Sequence, residues 1–266
     1  VTVSVRDEKE NFHILVPEGV WECADGTGDD LEVLKDFLRN CLSMVPGYDR
    51  QPVVKIMVTV PKLDSPLDER IPEALEQLGI ERRYIFLQDF SASFYYYTIN
   101  QKKELWLGDV ALMEYEDEGI TGHVLHIDRA TKPATVTVKQ IASQKLDRAV
   151  RDEMDDVSWD RERDRLFYEL LKKVFERRFI TTSFLLGDYF DKSWAQRSFQ
   201  YLTFHRHAFQ GKNLYSKGAC YAAMERFGLL PKPDLLFMGV DIIHENIGMN
   251  LKIRGKEAYY PMISAG

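Results

Sequence analysis

The sequence predicts an α/β protein of two lobes that repeat one strand-and-helix plan, followed by a short β-hairpin. Three observations carry that prediction. Between Pro52 and Glu114 a buried strand, an amphipathic helix, a second buried strand and another helix follow in turn, and a third strand run then opens. After the polar connector "NQKKE", a second series of strands and helices begins near Leu105. Beyond Pro231 the chain turns to extended, apolar stretches punctuated by Gly248 and Gly255. On this reading the lobes span 1–104 and 105–230, and 231–266 stands apart as a linker and hairpin.

Composition sets the class. A chain of 266 residues, 45% hydrophobic and 12% aromatic, can bury one large or two modest cores without an unusual stabiliser. Its formal charge of -7 and pI near 5.5 argue against non-specific nucleic-acid binding, which wants a clustered basic face. Cys23, Cys41 and Cys220 are few, odd in number and far apart, which fits a reducing compartment and neither a disulfide framework nor a zinc site. With no 18-residue apolar run and no signal peptide, the expected location is the cytoplasm. The chain opens on Val1 and closes on Gly266, so it reads as a fragment.

Local patterning gives the elements in order. Val1 to Val5 and Asn11 to Val16 alternate like an antiparallel hairpin, and Trp21 to Gly28 is a Gly- and Asp-rich loop. Leu31, Leu34, Phe37, Leu38, Cys41, Leu42 and Val45 recur at helical spacing, predicting a helix over Asp30 to Met44. "PVVKIMVTVP" is a strand covered on both faces and closed by Pro61. Ser65 caps the next helix with Pro66 at its first position, and Gly79 ends it. "YIFLQDF" is a strand and "SASFYYYTI" the helix leaving it, which puts Gln88 and Asp89 at the carboxyl end of a parallel strand, where open α/β sheets bind ligands. Tyr84 to Leu87 is expected to be a central strand, like Val53 to Val60, Val110 to Met113 and Phe184 to Leu186.

In the second lobe Asp109 to Tyr115, Thr121 to Asp128 and Ala134 to Ile141 are strands joined by "EDEG" and "RATKP" turns. Leu166, Phe167, Leu170, Leu171, Val174, Phe175 and Phe179 form one stripe of a long helix. "ITTSFLLGDYF" is a buried strand ending in Gly187 and Asp188, Trp194 to Leu202 is a helix, and "LYSKGACYAAMERFG" is another. Leu229-Leu230-Pro231 ends that helix and Pro233 bars its continuation. Asp234 to Asn250 is therefore expected to leave as a linker and strand that project from the second lobe, with a hairpin from Asn246 to Met262 turning at Arg254 to Lys256.

"VTVP", some twenty residues, "LGI" and then "FLQDFSASFYYY" resemble the actin and Hsp-type chaperone superfamily, which reads roughly "ITVPA", "AGL" and "INEPTAAALAY" at this spacing. The resemblance runs over about residues 52 to 262 and rests on order and spacing. It implies a duplicated ribonuclease H-like, or actin-like, fold and an uncharacterised bacterial branch. "GKNLYSKGACYAAMERFG" resembles the superfamily's "PDEAVAYGAAVQA", with Gly218 as the close helix contact. The tail resembles the chaperone linker and the start of its β-domain. The resemblance also implies that the first lobe begins one strand earlier, with a "DxGT"-like turn, and that this strand is missing from the chain as given. Only Ala142 to Arg161 stands where the superfamily inserts its adenine-clasping subdomain.

The resemblance further implies an ATP and Mg²⁺ site built from Gly-containing turns, because only a chain free of side chains at positive φ points consecutive N-H donors inward. The second turn falls at Met113 to Thr121 and reads "MEYEDEGIT". Glu114, Gly119 and Thr121 stand at its matching positions, but Tyr115 and Glu116 replace glycines. Glu116, Asp117 and Glu118 bring like charges worth ~1 kcal/mol per pair at close range even in water. Two readings stand: a structural acidic turn, or a phosphate site that works through metal. Gln88 matches the residue that orients an attacking water, or is a buried amide. Gly187 and Asp188 stand where paired glycines meet the nucleoside, or are a strand-to-helix turn. Asp89 reads as an N-cap, and His123, His126, His205, His207 and His244 as structural histidines without a metal. Gln88 and Glu114 are expected to face each other across the gap between lobes.

These residues lead to a divergent actin/Hsp-like protein with a degenerate nucleotide site, acting as a scaffold for a protein partner. The alternative is an ATP-binding, slowly hydrolysing chaperone-like or cytoskeletal protein, and the sugar-kinase branch fits least. Pairing with a neighbouring molecule through the C-terminal hairpin is a further expectation.

Overall fold

The computed structural model describes residues 2–6, 12–15, 30–44, 55–63, 67–116, 119–146, 154–187, 189–239, 247–253 and 256–263. Strands β1 (Thr2–Arg6), β2 (Phe12–Leu15), β3 (Lys55–Val60) and β4 (Ile85–Asp89) form one sheet in the order β2-β1-β3-β4. β1 runs antiparallel to β2 and to β3, and β3 runs parallel to β4. The apolar run of β3 is buried from Ile56 to Val60 because both its faces are covered. Ile56, Val58 and Val60 pack with Leu34, Leu38 and Leu42 of α1 (Asp30–Ser43) and with Ile71, Ala74 and Leu75 of α2 (Leu67–Gln77). Met57 points the other way, onto Ala219, Ala222 and Ala223 of a later helix. Gly79, at φ 93, ends α2 and returns its amide to the Glu76 carbonyl. Ser65 and Pro66 lie outside the described residues.

β4 corrects one expectation. Among the described residues it is hydrogen-bonded on one side only, to β3, so it is an edge strand of this sheet rather than a central one. Phe86 and Leu87 are half-buried for that reason, and Tyr84 belongs to a short 3-10 turn before the strand.

The second sheet contains β5 (Asp109–Glu116), β6 (Gly119–Asp128), β7 (Ala134–Lys145), β8 (Ile180–Leu186), β9 (His207–Gly211) and β10 (Leu235–Phe237), in the order β10-β7-β6-β5-β8-β9. β5, β6 and β7 form an antiparallel meander; β8 is parallel to β5, and β9 parallel to β8. Alternation along β5 sorts its residues between two cores. Ala111, Met113 and Tyr115 pack under α4 (Asp156–Phe175) and α5 (Gln196–Thr203), with Phe167, Leu170 and Leu202. Val110 and Leu112 face α3 (Phe90–Ile99) and α6 (Leu214–Arg226), with Phe94 and Tyr215. Asp155 caps α4 by accepting from the Ser158 amide at 3.0 Å, and Asp164 of α4 accepts from the Arg197 and Ser198 amides that open α5. β9 was not foreseen. Its five residues "HAFQG" pair with β8 alone and remain largely exposed, so they carry little of the apolar alternation that marks a strand.

The tail departs from expectation as well. Leu235 to Phe237 does not project from the second lobe; it joins β7 as a parallel strand, with Leu235 beside Ala134 and Phe237 beside Val136. Burial explains this: Phe237 stacks on Tyr95 of α3 at 4.7 Å, and the Met238 amide reaches the Val136 carbonyl at 2.8 Å. Further on, β11 (Ile247–Ile253) and β12 (Lys256–Ile263) pair antiparallel, with Met249 opposite Tyr260. Arg254, Gly255 and Asn246 lie outside the described residues. Among the described residues no helix is long and apolar enough to cross a membrane.

Candidate functional site

α3 and α6 lie side by side between the two sheets, and their contact is set by one residue. A Cβ on Gly218 would lie 1.9 Å from the Ser93 carbonyl oxygen, so only glycine lets the helices approach this closely. Two cavities open around this helix pair.

The smaller cavity, about 290 Å³, lies on the β5–β6 surface beneath the first turns of α3 and α6. Leu112, Glu114 and Glu116 alternate onto it from β5, and Thr121 and His123 from β6; Glu114 is directly opposite Thr121 in the register. Phe90 and Tyr215 close it, with rings stacked 3.9 Å apart. Glu114 has two close neighbours: His123 Nε2 lies 3.1 Å from its carboxylate, and the Tyr215 phenol stands near enough to feel its charge. Burial pushes the Tyr215 phenol well above its ordinary range, and the adjacent carboxylates Glu114, Glu116 and Asp89 push it further. Tyr215 is therefore neutral at physiological pH.

The larger cavity, about 630 Å³, lies beside β4 and between α3, α6 and β10. Gln88 and Asp89 line it, along with Tyr95, Tyr96 and Phe237, and Glu225, Arg226 and Lys232 bring charges of both signs to it. Burial raises the Glu225 carboxyl, opposed by Lys232. Gln88 is already committed: its Nε2 donates to Ser93 Oγ at 2.6 Å, and that hydroxyl meets Thr59 Oγ1 at 2.6 Å. Asp89 accepts from the Ala92 amide at 2.7 Å and so caps α3.

Gln88 and Glu114 thus line separate cavities, and the expectation that they face each other across one gap is corrected. The physical reason is the α3 entry, where Ser93 draws the Gln88 amide toward Thr59. Glu114 and Thr121 do come together. Gly119, at φ 148, begins β6 with its Cα against β7, where a Cβ would lie 2.2 Å from the Gln144 carbonyl oxygen. Gly187, at φ 116, lies against the Tyr115 carbonyl at 2.4 Å from a built Cβ. Asp188, Asp117 and Glu118 lie outside the described residues. His123 and Tyr215 are the partners that sequence reasoning missed. The available signal was the alternation that places Leu112, Glu114 and Glu116 on one face, with His123 two residues beyond Thr121.

Around the smaller cavity Tyr115 is buried in the α4-side core, His123 lies beside the Glu114 carboxylate, and the two glycines close against neighbouring carbonyls. No cluster of three metal-ligating side chains occurs among the described residues.

Residues 12–239 match the profile described as a family of unknown function, DUF5716, C-terminal. The chain belongs to this family. No curated protein matches the sequence. Among solved structures, this family member is similar to a ParM non-polymerisable quadruple mutant from pCBH, at 11% identity over 84% of this chain and 86% of that one, with a TM-score of 0.47. It is similar to a ROK family transcriptional regulator, a homolog of the E. coli MLC protein, at 11% identity over 76% and 70%, with a TM-score of 0.47. It is also similar to an Aquifex aeolicus Ppx/GppA phosphatase at 12% identity over 70% and 62%, with a TM-score of 0.39. At these scores no residue role or activity is carried over.

Proposed function

We propose that the chain is a divergent, duplicated actin-like body whose nucleotide cleft is occupied by its own side chains, and which works as a scaffold for a protein partner. The two sheets support the duplication. In the second, an antiparallel meander is flanked by two strands parallel to its first member; in the first, a hairpin is followed by two mutually parallel strands. Aligned in this way, β1, β2, β3 and β4 stand for β6, β7, β8 and β9, and β1 meets β3 where β5 separates β6 from β8. On this alignment the lobes are residues 1–104 and 105–230, with 231–266 following them.

The observation that carries the reading is the state of Glu114. A carboxylate that orients hydrated Mg²⁺ must offer free lone pairs to solvent and metal. This one lies 3.1 Å from His123 Nε2 and beside the buried Tyr215 phenol instead. The larger cavity suits the scaffold reading, because its aromatic wall and mixed charges offer a peptide both apolar area and ion pairs. Isothermal titration of the protein with ATP and MgCl₂ tests the proposal: no heat of binding is expected at submillimolar nucleotide. A dissociation constant tighter than about 1 mM would overturn it in favour of an ATP-binding protein.

A further inference from the structure

The mutually parallel strands β5, β8 and β9 begin on one edge of the second sheet, and an exposed large apolar side chain precedes each of them. Leu107 is 57% exposed, Phe179 76% and Phe204 65%. The register sets Phe179 and Phe204 just ahead of adjacent strands. Thr182 is opposite His207, so Phe179 and Phe204 each stand three residues before paired positions on adjacent strands. The Asp109 amide bonds to the Phe179 carbonyl at 2.9 Å, and the Phe179 ring lies so close to Gly108 that a Cβ there would be 2.5 Å from its Cδ1. Leu107 is the next residue back.

Two further features single out this edge. Among the described residues, Arg177 (φ 56) and His205 (φ 54) are the non-glycine residues in left-handed backbone conformation, and they flank Phe179 and Phe204. Such a conformation is costly for a residue with a Cβ, and outliers of this kind gather where function requires them. Charge is the second feature. The protein as a whole carries -7, yet segments 172–179 and 203–207 hold Lys172, Lys173, Arg177, Arg178 and Arg206 against Glu176, with Arg178 and Arg206 also donating to nearby backbone carbonyls. A recess of about 450 Å³ lined by Lys173, Arg177 and Arg178, with Glu176 and Ile141, opens beside Phe179.

We propose that this edge docks on a bilayer containing anionic phospholipid, with Leu107, Phe179 and Phe204 entering the acyl boundary and the flanking cations meeting headgroup phosphates. Exposed apolar tips, two of them within two residues of an arginine with a long apolar stem, suit an interface whose polarity changes over a few ångströms. An acidic protein would need a complementary apolar socket for each of three separate tips. The attraction of several Lys and Arg side chains to an anionic leaflet orients the molecule, and it weakens with salt. The proposal is independent of whether the cleft binds nucleotide.

Vesicle co-sedimentation tests it, using phosphatidylcholine vesicles with and without phosphatidylglycerol. Wild-type protein is expected to partition onto the anionic vesicles at least about tenfold better than onto neutral ones, with the preference falling at high salt. The double variant Phe179→Ser/Phe204→Ser, checked for an unchanged Tm, is expected to lose about tenfold in partitioning. Phe204→Trp provides a readout that needs no loss of binding, since the emission of the introduced indole should shift to the blue on anionic vesicles. Equal behaviour on both vesicle types would overturn the proposal. So would binding that survives the serine variant while the Phe204→Trp protein shows unshifted emission, an outcome that leaves the apolar tips outside the bilayer.

Discussion

At Gly218 an added methyl group would overlap the Ser93 carbonyl at 1.9 Å, and that oxygen belongs to helix backbone that cannot turn aside. Gly218→Ala is therefore expected to push α3 and α6 apart and to destabilise the fold by about 3 kcal/mol, measured as a lower urea midpoint. Burial raises the phenols of Tyr95, Tyr97 and Tyr215. A phenol whose folded pKa is raised stays neutral while its unfolded counterpart ionises near pH ~10, so the stability it contributes is whole below that pH and is lost as pH rises. Absorbance at 295 nm should show these three of the 13 tyrosines ionising only together with loss of the circular dichroism signal; reversible ionisation of all 13 near pH ~10 with the signal intact would contradict this. At this scale the sequence was legible where a role is local. Asp89 reads as a cap because its carboxylate needs only the turn that follows it. The Glu114 partners were not legible, because His123 reaches it through a strand register and Tyr215 through the packing of a helix a hundred residues away.

Helices and central strands could be read in advance because their periodicity records burial. The stripe of α4 and the unbroken apolar run of β3 each match a covered surface. The elements that were misread are those whose placement depends on a neighbour rather than on their own pattern. β4 has the composition of a central strand and an edge position, and β9 has the composition of a loop and a strand's pairing. β10 is the clearest instance. Two prolines end the helix before it and make a projecting linker the natural expectation, yet Tyr95 and the open edge of β7 capture the segment. An apolar strand beside an unpaired edge gains backbone hydrogen bonds and ring contact by docking. Phe237→Ala is expected to cost about 1 to 2 kcal/mol and to release the segment locally. Hydrogen exchange at the Met238 amide, protected in the wild type by Val136, should then accelerate well beyond that of the β5 amides. Equal protection in both proteins would show that the strand docks without the stacked ring.

The two sheets share α3 and α6, and that sharing sets how the whole molecule unfolds. Tyr95, Phe94 and Tyr215 belong to the core on the second sheet, whereas Ala219, Ala222 and Ala223 of the same helix pair pack on Met57 of the first. Neither sheet can lose its helices while the other keeps a complete core, since both faces are fixed to one rigid pair through Gly218 and Ser93. A chain of two lobes joined by a flexible connector would show two transitions; this one is expected to show a single cooperative one. Reporters already exist on each side. Cys41 is buried in the core beneath the first sheet, where burial raises its thiol, and Trp159 and Trp194 are buried beneath the second. With Cys23 and Cys220 replaced by serine, thiol labelling of Cys41 and tryptophan fluorescence should give the same urea midpoint. Labelling of Cys41 at distinctly lower urea would mean that the first lobe opens alone and that the shared helices stay with the second. Gly218→Ala sharpens the comparison. By separating α3 from α6 it weakens the one element common to both cores, so the two midpoints, coincident in the wild type, are expected to move apart in the variant.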